Sequence, residues 1–243
     1  VVLAAASPAL AAGKPKGEYA PFTNCPLHTA GVTQCVYIPT KSGELLFGKA
    51  SIQINNTIKL QGGLIVSGSE ETFVDATEGA TLSKTAEEVV GGFEGPLTAT
   101  LELVGTVTLS RTKLAAGEGT ALKLPVRAHL KNMFVGETCF IGSSTKPITL
   151  SLTTGATSPP PPNKSIKGSP GTEESKEGGN LVVHKADSLV ENAFSVPQAE
   201  GCGTLVTPIL NSKFGLPSAA GHNSAILNGN SEFASAKAVE ESE

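Results

Sequence analysis

The sequence predicts an all-β fold: a single β-sandwich of mainly antiparallel strands, with a β-barrel as the alternative and only a few short helical turns. Three observations predict it. Many short segments alternate apolar and polar residues with a period of two, which sets one strand face on a core and the other in water. The 27 glycines and 16 prolines among 243 residues punctuate those segments into turns. Charged residues make up only 16% of the chain, against roughly a quarter in an ordinary soluble domain, and Ser, Thr, Gly and Pro take up the difference.

Taken in order, Val1 to Ala12 is an apolar, small-residue run in which Ala9, Leu10 and Ala11 form the A-x-A pattern of a signal-peptidase site. Residues 1–11 therefore read as the remnant of a signal peptide, and residues 12–243 as one β-rich domain. Strands are expected at Gln34–Ile38, Leu64–Val66, Leu97–Leu103, Val107–Leu109, Ala121–Lys131, Thr138–Ile141, Ile148–Leu152, Leu181–His184, Ala193–Val196, Ala225–Leu227 and Glu232–Ala234. Ser51–Gln61 reads as a hairpin, because Asn55-Asn56 suits a tight turn between two alternating pairs. In Ala121–Lys131, Leu122, Leu124, Val126, Ala128 and Leu130 share one face. Pro125 cannot donate a ladder hydrogen bond, so that strand should lie at an edge or bulge there. Thr85–Val90 and Val206–Phe214 carry the only helical periods.

Thr157 to Gly179, with its four-proline run followed by Gly, Ser, Glu and Lys, predicts a Pro/Gly-rich surface loop: stiff polyproline II, then a mobile stretch. The rival reading is an interdomain linker. Four cysteines in an exported chain most simply form two bridges, although three connectivities are open. Cys25 with Cys35, closing a short loop, and Cys139 with Cys202, stapling the segments either side of the proline run, avoids two long-range crossings. That second bridge favours the loop over the linker.

Several functions find no support in the residues. The net charge of −4 and pI near 5.7 supply no basic field for nucleic acid. With no Trp and two Tyr, flat platforms for sugars or bases are scarce. No stretch offers the roughly 20 continuous apolar residues of a spanning helix. Cys25, His28 and Cys35 lack metal-ligand spacing, and no cofactor fingerprint is present, so neither metal nor cofactor is predicted. Gly62-Gly63, Gly91-Gly92 and Gly178-Gly179 read as turns.

No G-x-S-x-G elbow exists. His184 and Asp187 are the closest His and Asp pair, but three residues apart on a strand they face opposite ways unless the chain bends at Lys185 or Ala186. Of the 22 acidic residues only Asp75 and Asp187 are aspartates, and no catalytic carboxylate pair can be singled out. No catalytic residue is predicted. Asn211 to Asn230 is rich in side-chain donors and acceptors, which makes His222, Asn223, Asn228 and Asn230 a candidate recognition loop.

FTNCP with a following Cys (Phe22 to Cys35), INNTIKLQGG (Ile54 to Gly63), CFIGSSTKPITLSLTTGATSPPPPNK (Cys139 to Lys164) and FGLPSAAGHNSAILNG (Phe214 to Gly229) together resemble an uncharacterised family of secreted proteins from high-GC Gram-positive (actinobacterial) bacteria. The resemblance implies export, a bacterial source and paired cysteines, and it imports no chemistry. The function expected is a secreted, non-enzymatic structural or binding protein of the bacterial exterior or cell envelope, an envelope component or a self-associating one. The alternatives are an extracellular hydrolase acting on envelope polymers, or a carrier of an apolar small molecule.

Overall fold

The computed structural model describes residues 13–90 and 95–243. The proposed signal-peptide remnant at 1–11 and the turn at Gly91-Gly92 lie outside them. Among the described residues fourteen strands form one antiparallel sheet. The sheet is organised about a long strand, β1 (Val32–Phe47), which pairs along one side with β14 (Ser224–Ser235). Its other side is shared: β2 (Ala50–Ile54) takes Gly43 to Phe47, and β3 (Ile58–Ser67) takes Val32 to Thr40.

Because β2 and β3 run end to end along β1 in the same direction, the hairpin expected over Ser51–Gln61 does not form. Asn55-Asn56 interrupts a line of strand rather than reversing it. The freed amides are met by a side chain: the buried Glu87 carboxylate accepts from the backbone N–H of Asn55 at 2.9 Å and of Asn56 at 3.1 Å. An acceptor supplied from another strand thus removes the need for a turn.

Beyond the interruption β3 pairs with β4 (Glu70–Asp75), while β2 pairs with β5 (Ala86–Val90). The helical turn expected at Thr85–Val90 is corrected to strand. Glu87 and Val89 are buried while Ala86, Glu88 and Val90 are exposed, a period of two that a six-residue window cannot separate from one helical turn. From β5 the sheet continues through β6 (Thr98–Leu103) to β8 (Leu122–Lys131), whose flanks also carry β7 (Thr108–Leu109), β9 (Phe140–Ile141) and β10 (Ile148–Leu152). β13 (Ala199–Glu200) follows β9.

The β8 alternation is borne out, with all five expected apolar residues in the core. Pro125 is not at an edge of the sheet. It faces the break where β6 ends and β7 has yet to begin, so its missing N–H costs no ladder bond on that side. Its carbonyl still accepts from the Val104 N–H at 3.0 Å. Gly105 packs against its ring, where a Cβ would come within 2.9 Å of Pro125 Cγ.

At the other end β14 carries β12 (Leu181–Glu191), and β12 carries β11 (Thr172–Lys176) as the outermost strand. The expected loop at 157–179 therefore holds a strand in its last third. Pro161 and Pro162 form a turn joined by a cis peptide bond. Asn163 Nδ2 ties that turn down by donating to the carbonyls of Asn192 at 2.9 Å and Asn223 at 2.8 Å. The segment is pinned because its polar groups find partners in the domain. The separate strands expected at Ala225–Leu227 and Glu232–Ala234 are one, β14. Ala193–Val196 yields only a single bridge, from Val196 to Ser218.

The sheet curls until the two ends face across one core. Ile38 and Leu60 from β1 and β3 meet Leu124, Val126, Leu150 and Leu189 around a residual space of about 30 Å³. A reciprocal pair of backbone bonds between Thr153 and Val190 brings the end of β10 against β12. One bridge is not a ladder, so the sheet is not closed into a barrel. The reverse face of β1, β12 and β14 buries a second, smaller cluster around Phe22, Leu181, Val183 and Val239.

Both disulfides pair as expected, Cys25 with Cys35 in that smaller cluster and Cys139 with Cys202 in the main core. Among the described residues the three α-helices are short: α1 (Arg111–Ala116), α2 (Val206–Phe214), where expected, and α3 (Ala236–Glu241). Pro208 sits in the first turn of α2, where a missing N–H is tolerated. Gly62-Gly63 is not a turn but lies within β3. A Cβ at Gly62 would meet Phe73 Cζ at 2.4 Å, so the bare backbone makes room for that ring.

Candidate functional site

Two places depart from regular pairing and gather polar side chains. The first lies where β12, β14 and β1 run side by side. The register of β12 on β14 shifts between Lys185 and Asp187, and Ala186 at φ 53° is the extra residue of a bulge. His184 then faces Ser231 and Asp187 faces Gly229. Since residues 229 and 231 lie on one face of β14, the bulge turns His184 and Asp187 to the same side. This is the bend at Lys185 or Ala186 that the His and Asp spacing required.

β1 bulges at the same level, where Thr40 faces Gly229 and Ser42 faces Asn228, leaving Lys41 as the extra residue. Between the two bulges the backbones close in, and a Cβ at Gly229 would lie 2.0 Å from the Pro39 carbonyl oxygen. Asn230 Oδ1 accepts from the Ala186 N–H at 3.2 Å and so caps the β12 bulge.

Asp187 is 3% exposed and accepts a short hydrogen bond from the fully buried Ser231 hydroxyl. Burial pushes its carboxyl up to about 6, against the Ser231 hydrogen bond and the Lys41 charge, which pull the other way. His184 turns elsewhere: its Nδ1 lies 3.2 Å from the Pro170 carbonyl oxygen and its Nε2 3.9 Å from Glu173 Oε2. Acid and serine meet directly and the imidazole does not stand between them, so this is not the arrangement of a serine hydrolase.

The second place is open. At the fork between β3 and β6 a surface groove of about 530 Å³ is lined by Asp75, Thr81, Lys84, Glu102 and Arg127, with Leu82, Leu101 and Leu103 below. Leu82 and Leu101 also bound the residual core space, so the groove floor is the outer skin of the core. Arg127 holds Glu102 through Nε at 2.9 Å and Nη2 at 2.6 Å, and stacks on Phe140 at 3.9 Å from the ring centre. His129 Nδ1 lies 3.3 Å from the other Glu102 oxygen, and its ring stacks on Phe140. Asp75 accepts from the Thr81 hydroxyl at 3.3 Å.

The four residues expected in a recognition loop are not brought together. His222 is exposed in a shallow depression with Lys49 and Ser218. Asn223 is fully buried: it accepts from the Gly48 N–H at 2.8 Å and donates to the Phe194 and Ala219 carbonyls at 2.9 Å each. It clips three segments together and faces no ligand. Asn228 and Asn230 belong to β14, opposite Ser188 and Lys185.

The residues of the groove were not singled out from the sequence. They come from four separate segments, and no spacing links them. Among the described residues no group of three or more His, Cys, Asp and Glu is placed to hold a metal ion, and no helix is long and apolar enough to cross a membrane. In comparisons with known proteins, no family model, no curated protein and no solved structure matches the chain.

Proposed function

We propose that the protein is exported and acts outside the cytoplasm as a non-enzymatic binding or structural component of a bacterial exterior, of the kind suggested by its resemblance to secreted actinobacterial proteins. The observation that carries this reading is the oxidation of all four cysteines into two bridges, both buried in core clusters. Such bridges persist where the surroundings are oxidising, and reducing cytoplasm works against them. The open groove at the β3 and β6 fork supplies the binding surface.

The groove favours binding over hydrolysis. Of its two carboxylates, Glu102 is already neutralised by Arg127 and approached by His129, whereas inverting or retaining sugar hydrolysis needs one acid and one free base or nucleophile. The carrier reading needs an enclosed apolar space of roughly 300 Å³ or more. The core space between Ile38, Leu60, Leu124 and Leu150 holds about 30 Å³, room for roughly one water.

The test is intact mass spectrometry of the protein recovered from the medium of its native culture, with and without alkylation under denaturing conditions. Two disulfides and no alkylated thiol are expected. Recovery only from the cytoplasm, with thiols that alkylate, overturns the reading.

A further inference from the structure

We propose that the groove at the fork binds an extended peptide segment of a partner protein by taking it in as an added strand. The inference rests on the binding half of the reading above and names the class of partner. It begins with a hairpin that stops zipping. β5 and β6 pair from Glu88 with Thr98 to Ala86 with Thr100. Continuing that register would set Lys84 opposite Glu102, an opposite-charge pair that should favour closure. Closure is prevented from both sides.

On one wall, residues 81–83 are drawn to β3. The Gln61 N–H donates to the Thr81 carbonyl at 2.8 Å, the Ser83 N–H donates to the Lys59 carbonyl at 2.9 Å, and the Lys59 N–H donates to Ser83 Oγ at 2.9 Å. On the other wall, Glu102 is drawn to Arg127 and His129. The same bonds settle where the remaining backbone groups point. With Thr81 and Ser83 spent on β3 on either side of it, the alternation of a strand turns the N–H and C=O of Leu82 into the groove. On β6, the Val104 N–H donates to Pro125 across β8, so the even positions face β8. Leu101 and Leu103 therefore turn their N–H and C=O into the groove from the opposite wall.

Two strand edges thus face one slot, each with main-chain donors and acceptors, above an apolar floor of Leu82, Leu101 and Leu103. Main-chain groups in that arrangement are answered by another extended main chain. Gly79 and Gly105 also line the slot, beside the charged Asp75, Lys84, Glu102 and Arg127. The fitting segment is short and extended, with alternate apolar side chains on the leucines and polar ones toward Lys84 and Arg127.

The experiment pans a random-sequence peptide display library against the intact protein and takes the enriched peptide forward as a synthetic free peptide. It should slow amide hydrogen exchange at Leu82, Leu101 and Leu103. Methylating alternate backbone nitrogens of the peptide should weaken binding about tenfold, the worth of one main-chain hydrogen bond. Failure to enrich any peptide overturns the proposal, as does binding that is indifferent to N-methylation. Peptides that bind tightly while those three amides exchange as before overturn the slot but leave a binding role elsewhere on the surface standing, and the thiol measurement above tests export separately.

Discussion

The seam between β12, β14 and β1 and the fork between β3 and β6 are two breaks in one sheet with opposite outcomes. At the seam two bulges fall level with each other, and the protein fills the gap with its own groups: Ser231 meets Asp187, Asn230 caps Ala186, and Gly229 lets the backbones touch. At the fork the walls are tied outward, and the backbone edges between them are left facing a groove. An irregularity becomes a sealed polar seam when complementary side chains lie on the adjoining strands. It becomes a surface when those side chains are spent on outer partners.

The sharpest way to break this contrast is Gly229→Ala. A Cβ 2.0 Å from a backbone oxygen cannot be relieved by rotating a side chain, so a loss of about 3 kcal/mol or more is expected by urea denaturation. Gly105→Ala, at the fork, should cost less, since its nearest neighbour is the Pro125 ring at 2.9 Å rather than a backbone atom. Next comes Glu87→Ala, which strips the acceptor from the Asn55 and Asn56 amides. That change should destabilise by about 2–3 kcal/mol, and equal stability of the variant would show that water replaces the carboxylate.

Asp187 gives the seam a pH dependence. Its folded-state value is about 6 against an ordinary 3.8, so the native state holds its proton more tightly than the unfolded chain does. Its contribution is fully present below about pH 4 and is lost as the pH rises through about 6. Asp187→Asn should therefore stabilise the protein at pH 7.5 by about 2 kcal/mol relative to the parent, with the gain shrinking toward zero near pH 4. Matched denaturation curves at the two pH values measure it, and a gain that grows on acidification would refute the sign. The smallest effect belongs to the fork: Lys84→Ala should leave stability within about 0.5 kcal/mol, because the exposed side chain lines an open groove.

Much of the strand content was legible because burial writes a period of two. The five inward residues of β8 and the inward Leu150 of β10 could be named from alternation alone. What alternation could not show was connectivity. β4, with its sequence EETFVD, and β11, with TEESK, are edge strands exposed enough to need few apolar residues, so they read as loops. Asn55-Asn56 carries turn chemistry, yet whether the chain reverses there depends on Glu87, thirty-odd residues away. Of the candidate recognition residues, Asn223 is polar because it joins carbonyl and amide partners from three segments, and nothing local distinguishes that from a residue waiting for a ligand.

By itself the sequence determined an all-β chain and which apolar faces would be buried, because both follow from local period. It also favoured the pairing of Cys25 with Cys35 and Cys139 with Cys202 that the fold adopts, by counting the crossings each connectivity needs. For His184 and Asp187 it set a condition, a bend at Lys185 or Ala186. Only the tertiary structure decided that the bend occurs and that Asp187 then meets Ser231 rather than His184. The fork likewise exists only in three dimensions. Its walls are opened by hydrogen bonds from β3 and from Arg127, and a strand's own residues do not record which of its neighbours will hold it more strongly.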